Sequence, residues 1–102
     1  MRALFAGSFD PVTNGHVDLI GRVALIADSV VVAVAVNIAK RPTFPDEVRV
    51  AMLREACQAW PQVTVVVFQG LIVEAAREFG ADVLIRGVRT SDDFAREYQM
   101  AQ

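Results

Sequence analysis

Apolar residues gather along this chain in four short runs, Ala3 to Ala6, Val30 to Val36, Val63 to Phe68, where Thr64 is the one polar member, and Val83 to Ile85. Taken together the runs are rich in β-branched residues, though Ala3 to Ala6 has none, and each is continuous rather than alternating, as expected of strands buried on both faces of a parallel sheet. Between the runs, apolar residues recur at helical spacing: Val17, Ile20, Ala24 and Ala27, then Val48, Met52, Ala56 and Trp60, then Ile72, Ala76 and Phe79. The pattern predicts strand and helix in strict alternation. Because βαβ connections are right-handed, helices on both faces require the strand order to reverse once, so the expected fold is α/β, a Rossmann-like doubly wound parallel sheet.

Local signals mark the ends of these elements. Asn14 can cap the first helix, Asp46 falls in the first turn of the second, and Gly80 can end the third in a left-handed conformation. Pro42 and Pro45 bracket a loop after the second strand. Asp92 and Asp93 suit the start of a fourth helix, with only a few turns of chain after them. The sheet is therefore expected to be incomplete at its carboxyl end. No repeat, low-complexity stretch or linker divides the chain, which reads as one domain over residues 1–102.

Composition narrows the function classes. With 54% hydrophobic residues, 22% charged residues and a formal net charge of -2, the 102-residue chain lacks the signature of disorder. No apolar run is long enough to span a bilayer and no basic leader opens the chain, so a cytoplasmic protein is expected. Cys57 is the single cysteine and His16 the single histidine, which excludes a Cys/His zinc cluster, and no other metal cage is legible. The slightly acidic balance argues against general binding to nucleic acid or a membrane surface. An anionic ligand would need a local site.

In open parallel sheets, ligands bind beyond the carboxyl ends of the strands, where the strand order reverses. The first strand is followed by Gly7-Ser8-Phe9-Asp10-Pro11-Val12-Thr13-Asn14-Gly15-His16, the second leads to Lys40-Arg41, and the fourth leads to Arg86-Gly87-Val88-Arg89. Cations from three strand ends thus converge on one edge. Gly7 permits close backbone approach, the Ser8 hydroxyl can donate to a phosphate oxygen, and Gly15 and His16 fall at a helix start that favours anions. An anion beside His16 would favour the charged imidazole. Taken alone, His16 also reads as a surface residue beside a cap, and Lys40-Arg41 and Arg86-Arg89 as solvated charge or surface ion pairs. Asp10, before Pro11, reads as a loop-ordering residue, Cys57 as a small buried hydrophobe, and Met52, Trp60 and Phe68 as packing.

The run from Gly7 to His16 resembles the signature of the nucleotidyltransferase superfamily that carries the (T/H)-x-G-H motif, here Thr13-Asn14-Gly15-His16. Lys40-Arg41-Pro42, Leu84 to Arg89, Asp93-Phe94, Glu97 and Gln99-Met100-Ala101 together resemble the phosphopantetheine adenylyltransferase family. The resemblance runs from Arg2 to Gln102. It implies transfer of an adenylyl group from ATP to 4'-phosphopantetheine, giving dephospho-coenzyme A and pyrophosphate, the penultimate step of coenzyme A biosynthesis. Ser8 and His16 would hold ATP phosphates, Lys40 would bridge the two reacting phosphates, Arg86 would grip the phosphopantetheine side and Arg89 the ATP phosphates. Phe9, Gly87, Val88 and Glu97 match ATP-pocket positions, and Ile72 a position along the pantetheine arm. The family further implies magnesium on the triphosphate and a homohexamer.

Two departures stand out. Arg96 occupies a position where the family has tyrosine, and the family continues beyond this chain into a further strand, more helices and a serine-rich ATP-binding segment. Two other readings stay open: a sister nucleotidyltransferase with a different phosphorylated acceptor, and a non-catalytic nucleotide-binding module.

Overall fold

The structure is a computed structural model that describes residues 1–36 and 44–86, with only the backbone described at Arg86. Its elements are β1 (Arg2–Gly7), α1 (Asn14–Ile26), β2 (Ser29–Ala35), α2 (Asp46–Ala56), β3 (Val63–Phe68), α3 (Ile72–Glu78) and β4 (Val83–Arg86). The alternation read from the apolar runs is the one observed. The fourth helix expected after Asp92 lies outside the described residues.

The strands form a parallel sheet in the order β3-β2-β1-β4. β1 is central, pairing with β2 from Arg2↔Ser29 to Gly7↔Val34 and with β4 from Ala3↔Val83 to Ala6↔Arg86. The chain steps outward from β1 to β2 to β3, then crosses back to β4. Right-handed crossovers then put α1 and α2 on one face and α3 on the other, and the side chains obey. Val30, Val32 and Val34 join Ala3, Phe5, Ile20, Val23, Val50 and Leu53 in the larger cluster, whereas Ala33, Leu4 and Ala75 form the smaller one with Val31, Val66, Phe79 and Leu84 packed against it. The alternation of β2 between the two clusters is the period of two that a strand imposes. The expected doubly wound α/β sheet is present, with its order reversing between β1 and β4.

Burial follows position in the sheet. β1 and β2 are almost wholly buried, as their continuous apolar runs predict, but β3 sits at an edge and leaves Thr64 and Val67 exposed. A strand paired on one side keeps less of its surface from water.

Two local expectations need correction. α2 does not bury Val48, Met52, Ala56 and Trp60 as a stripe: Val48 is exposed, and the inward residues are Arg49, Val50 and Leu53, continued by Cys57. A spacing of four residues drifts by about 40° per step around a 3.6-residue helix, so the expected stripe winds off the core. Met52 is half-buried, and Trp60 packs against the core from beyond the helix end. Secondly, α1 is capped by Thr13 and not by Asn14. The end of α3 is as expected: Gly80 has φ +64°, and bonds from Gly80 N–H to Arg77 O and from Ala81 N–H to Ala76 O close a Schellman motif. Cys57 is buried, and desolvation pushes its thiol pKa up.

Candidate active site at the switch point

The order reversal opens between β1 and β4, so the loop after β1 lies beside the carboxyl end of β4. The loop is tied at successive residues. Arg49 Nη1 donates to Ser8 O at 2.7 Å and to Ala35 O at 3.3 Å, joining the loop to the end of β2 through α2. Phe9 has φ 49°, a left-handed value uncommon for a bulky residue, and its ring is buried, 5.7 Å from the Phe5 ring centroid. Asp10 Oδ1 accepts from the Phe44 N–H at 2.7 Å, so Asp10 orders the loop, as its place before Pro11 suggests. The Asp10-Pro11 bond is cis.

At the start of α1, Thr13 and His16 form a reciprocal capping box. The His16 N–H donates to Thr13 Oγ1 at 3.2 Å, and the Thr13 N–H donates to His16 Nδ1 at 3.0 Å, with Thr13 Oγ1 also 3.1 Å from Nδ1. A nitrogen that accepts from a backbone N–H carries no proton. The ring is therefore neutral with its proton on Nε2, which has no hydrogen-bond partner among the described residues. The imidazole lies edge-on to Phe9, with centroids 5.0 Å apart. Burial draws its pKa below the ordinary histidine value. In the protein without ligand, desolvation opposes the charge, and protonating Nδ1 would set it as a second donor against the Thr13 N–H.

Of the residues singled out from the sequence, Ser8, Phe9 and His16 come together on the β1–α1 connection, with Ser8 exposed and His16 half-buried. Arg86 ends β4, its backbone in register with Ala6 on the neighbouring strand. Ile72 begins α3, beyond the carboxyl end of β3, which is separated from β1 by β2 in the sheet. Lys40, Arg41, Gly87, Val88, Arg89 and Glu97 lie outside the described residues. Among the described residues no group of three or more His, Cys, Asp or Glu side chains could hold a metal ion. A groove of about 340 Å³ lined by Arg54, Cys57, Trp60 and Val63 lies at the opposite, amino-terminal edge of the sheet, away from these loops.

Sequence reasoning missed Arg49. Its signal was a lone charge in phase with Val50, Leu53 and Cys57 on the inward face of α2.

Fold and site together define the class: a doubly wound α/β protein whose switch-point loop presents a hydroxyl, a helix start and a fixed imidazole donor. Within that class the chain belongs to the cytidylyltransferase-like family, whose profile matches residues 4–102. Its curated relatives include the phosphopantetheine adenylyltransferases of Desulforudis audaxviator, 52% identical over 99 residues, and Nocardioides sp., 48% identical over 101 residues. These alignments cover 97% and 99% of this chain but 61% and 64% of the relatives, so the chain spans less than two-thirds of their length. The crystal structure of the lipopolysaccharide core biosynthesis protein from Thermoplasma volcanium GSS1 has the same fold, with a TM-score of 0.68 and 23% identity over 99% of this chain and 85% of that one.

Proposed function

We propose that the chain carries the switch-point half of an adenylyltransferase site that joins ATP to 4'-phosphopantetheine, releasing pyrophosphate and giving dephospho-coenzyme A. The observation that carries this reading is the capping box, which holds the His16 ring with Nε2–H as its donor at the start of α1. The family match and the phosphopantetheine adenylyltransferase relatives support the choice of reactants.

A phosphate monoester is already ionised at neutral pH and needs no general base. Catalysis then consists of bringing two mutually repelling anions into line and stabilising charge on the transferring phosphoryl group. A neutral imidazole fixed as a donor suits that task, because it can strengthen its bond as charge gathers on the α-phosphate. The Ser8 hydroxyl and the free N–H groups at the start of α1 add donors of the same kind. Lys40 bridging the phosphates, Arg86 on the phosphopantetheine side, Arg89 on ATP, the ATP-pocket positions Phe9, Gly87, Val88 and Glu97, and Ile72 along the pantetheine arm are proposed on the family resemblance.

Magnesium enters as the counter-ion of the ATP phosphates, held mainly by nucleotide and water as this ion prefers; the described residues offer no cage for it. No helix among the described residues is long and apolar enough to cross a membrane. A cytoplasmic location and a homohexamer belong to the same proposal, on the resemblance alone.

Titrating ATP and 4'-phosphopantetheine separately by calorimetry and then assaying pyrophosphate release tests the reading. Binding of both with release is expected. Binding of both without release would make the chain a nucleotide-binding module, and failure of either to bind would reject the reactants named.

A further inference from the structure

Arg49 stands apart from every other described side chain: it is the one charged residue of the core, 4% exposed. Its Nη1 is accounted for by the carbonyls of Ser8 and Ala35. Its Nε–H is buried with no hydrogen-bond partner among the described residues. Among the described residues no carboxylate forms an ion pair with it. A buried cation without a counter-charge is costly, and this one sits four positions into α2, near the positive end of the helix dipole. Linking two carbonyls does not require a full charge. A neutral amide would join them without the desolvation penalty, so the structural role explains Nη1 and leaves the charge and Nε unexplained.

The place of the charge supplies the explanation. Ser8 O and Ala35 O mark the carboxyl ends of β1 and β2, so the guanidinium lies directly behind the loop of the candidate site. In a trans peptide the C=O and N–H point in opposite directions. Holding Ser8 O therefore turns the Phe9 N–H away from Arg49, and that N–H has no hydrogen-bond partner among the described residues. We infer that Arg49 is a positioning residue for a polyphosphate ligand: it sets the Ser8–Phe9 peptide with its N–H outward and supplies, from behind the loop, positive charge that a bound triphosphate offsets. This rests on the reading of the site as an ATP site and adds to it a residue that the loop motif does not contain.

The test uses ATP and inorganic tripolyphosphate as probes on the intact protein and on Arg49→Met and Arg49→Lys. Under conditions where circular dichroism shows each variant folded, Arg49→Met should weaken the Kd of both probes by about tenfold or more, with Arg49→Lys recovering part of the loss. A residue that only braced the fold would lower the denaturation midpoint and leave the Kd of the folded fraction unchanged, and that result would overturn the inference. Should Arg49→Met fail to fold, the wild-type protein decides. The Nε–H resonance of Arg49 in a 15N-edited spectrum should shift on adding tripolyphosphate, and an unmoved resonance at saturation would reject the role. If wild-type protein binds ATP but the variants bind it equally well, Arg49 alone is wrongly assigned; if wild-type protein binds neither probe, the ATP reading fails with it.

Discussion

Replacing His16 by asparagine and by alanine separates the two tasks that the capping box gives this side chain. Asparagine places Oδ1 where the ring has Nδ1, so it can still accept from the Thr13 N–H, but it carries nothing at the position of Nε2. Alanine removes both. The Thr13 N–H is solvent-exposed, so losing its acceptor costs only a net hydrogen bond, about 0.5–1.5 kcal/mol, and not a desolvation penalty. Both substitutions also lose the edge contact with Phe9, worth a further 0.5–1.5 kcal/mol or about that. Asparagine should accordingly be more stable than alanine by about 0.5–1.5 kcal/mol, which for a domain near this size is roughly 4–8 °C in Tm per kcal/mol. Turnover should not follow stability. If Nε2–H donates to the transferring phosphate, both variants should lose about 10²–10³-fold in kcat, the usual cost of removing one such donor, with a smaller change in KM. Thermal denaturation and pyrophosphate release, measured on the same preparations, read the two effects. Equal stability of the two variants would refute the capping argument, and near-wild-type turnover of the asparagine variant would refute the assignment of the donor.

Three further outcomes follow from single features. Because burial lowers the His16 pKa in the folded protein, the unfolded chain binds the proton more readily; stability is fully present above the ordinary value of 6.5 and falls as pH drops below it. Denaturation midpoints at pH 7.5 and 5.5 should therefore differ more for wild type than for His16→Asn, and equal differences would contradict the shift. Gly21→Ala would set a Cβ 2.7 Å from Trp60 Cζ2 and 3.0 Å from Cη2, so overpacking should outweigh the gain in helix propensity and cost about 1–2 kcal/mol net in urea denaturation; an unchanged or raised midpoint would show that the indole moves aside freely. Cys57, buried and with its pKa raised, should react with iodoacetamide far more slowly in the native protein than in urea, and a native rate close to that of a free thiol would contradict its burial.

What the sequence made legible was whatever a residue's own chemistry or near neighbours decide. Four apolar runs located four strands, Gly80 marked a left-handed helix end, and the order reversal followed from connection handedness alone. The inward face of α2 was not legible, because it contains a charge: a hydropathy pattern passes over Arg49 and settles on Val48, which faces water. The cap of α1 was hidden differently. Thr13 and Asn14 are both good capping residues, and only the phase of the helix, which starts at Asn14, decides between them. The same phase turns His16 from one polar residue near a helix start into the third residue of a capping box, with its tautomer set.

The shape of the loop after β1 illustrates the deepest limit of local reading and its functional consequence. Nothing in the local sequence asks Phe9 for a left-handed backbone, and adopting one costs about 1–3 kcal/mol. Burying the phenyl ring among the core side chains returns about the same amount, roughly 1.5–3 kcal/mol. The conformation is thus decided by burial in a core built from several elements, with Phe5, Ile20 and Val34, 4, 11 and 25 residues away, in the same cluster. Its neighbours are held likewise from afar, Ser8 by Arg49 and Asp10 by Phe44. Three consecutive residues of the loop are therefore each tied to a different part of the fold, one by a buried cation, one by the core and one by a carboxylate. A loop fixed in this way has little ordering left to do if a ligand arrives, so under the proposed function the Ser8 hydroxyl and the His16 ring would meet an incoming phosphate from positions already set, which is the condition under which fixed dipoles accelerate phosphoryl transfer.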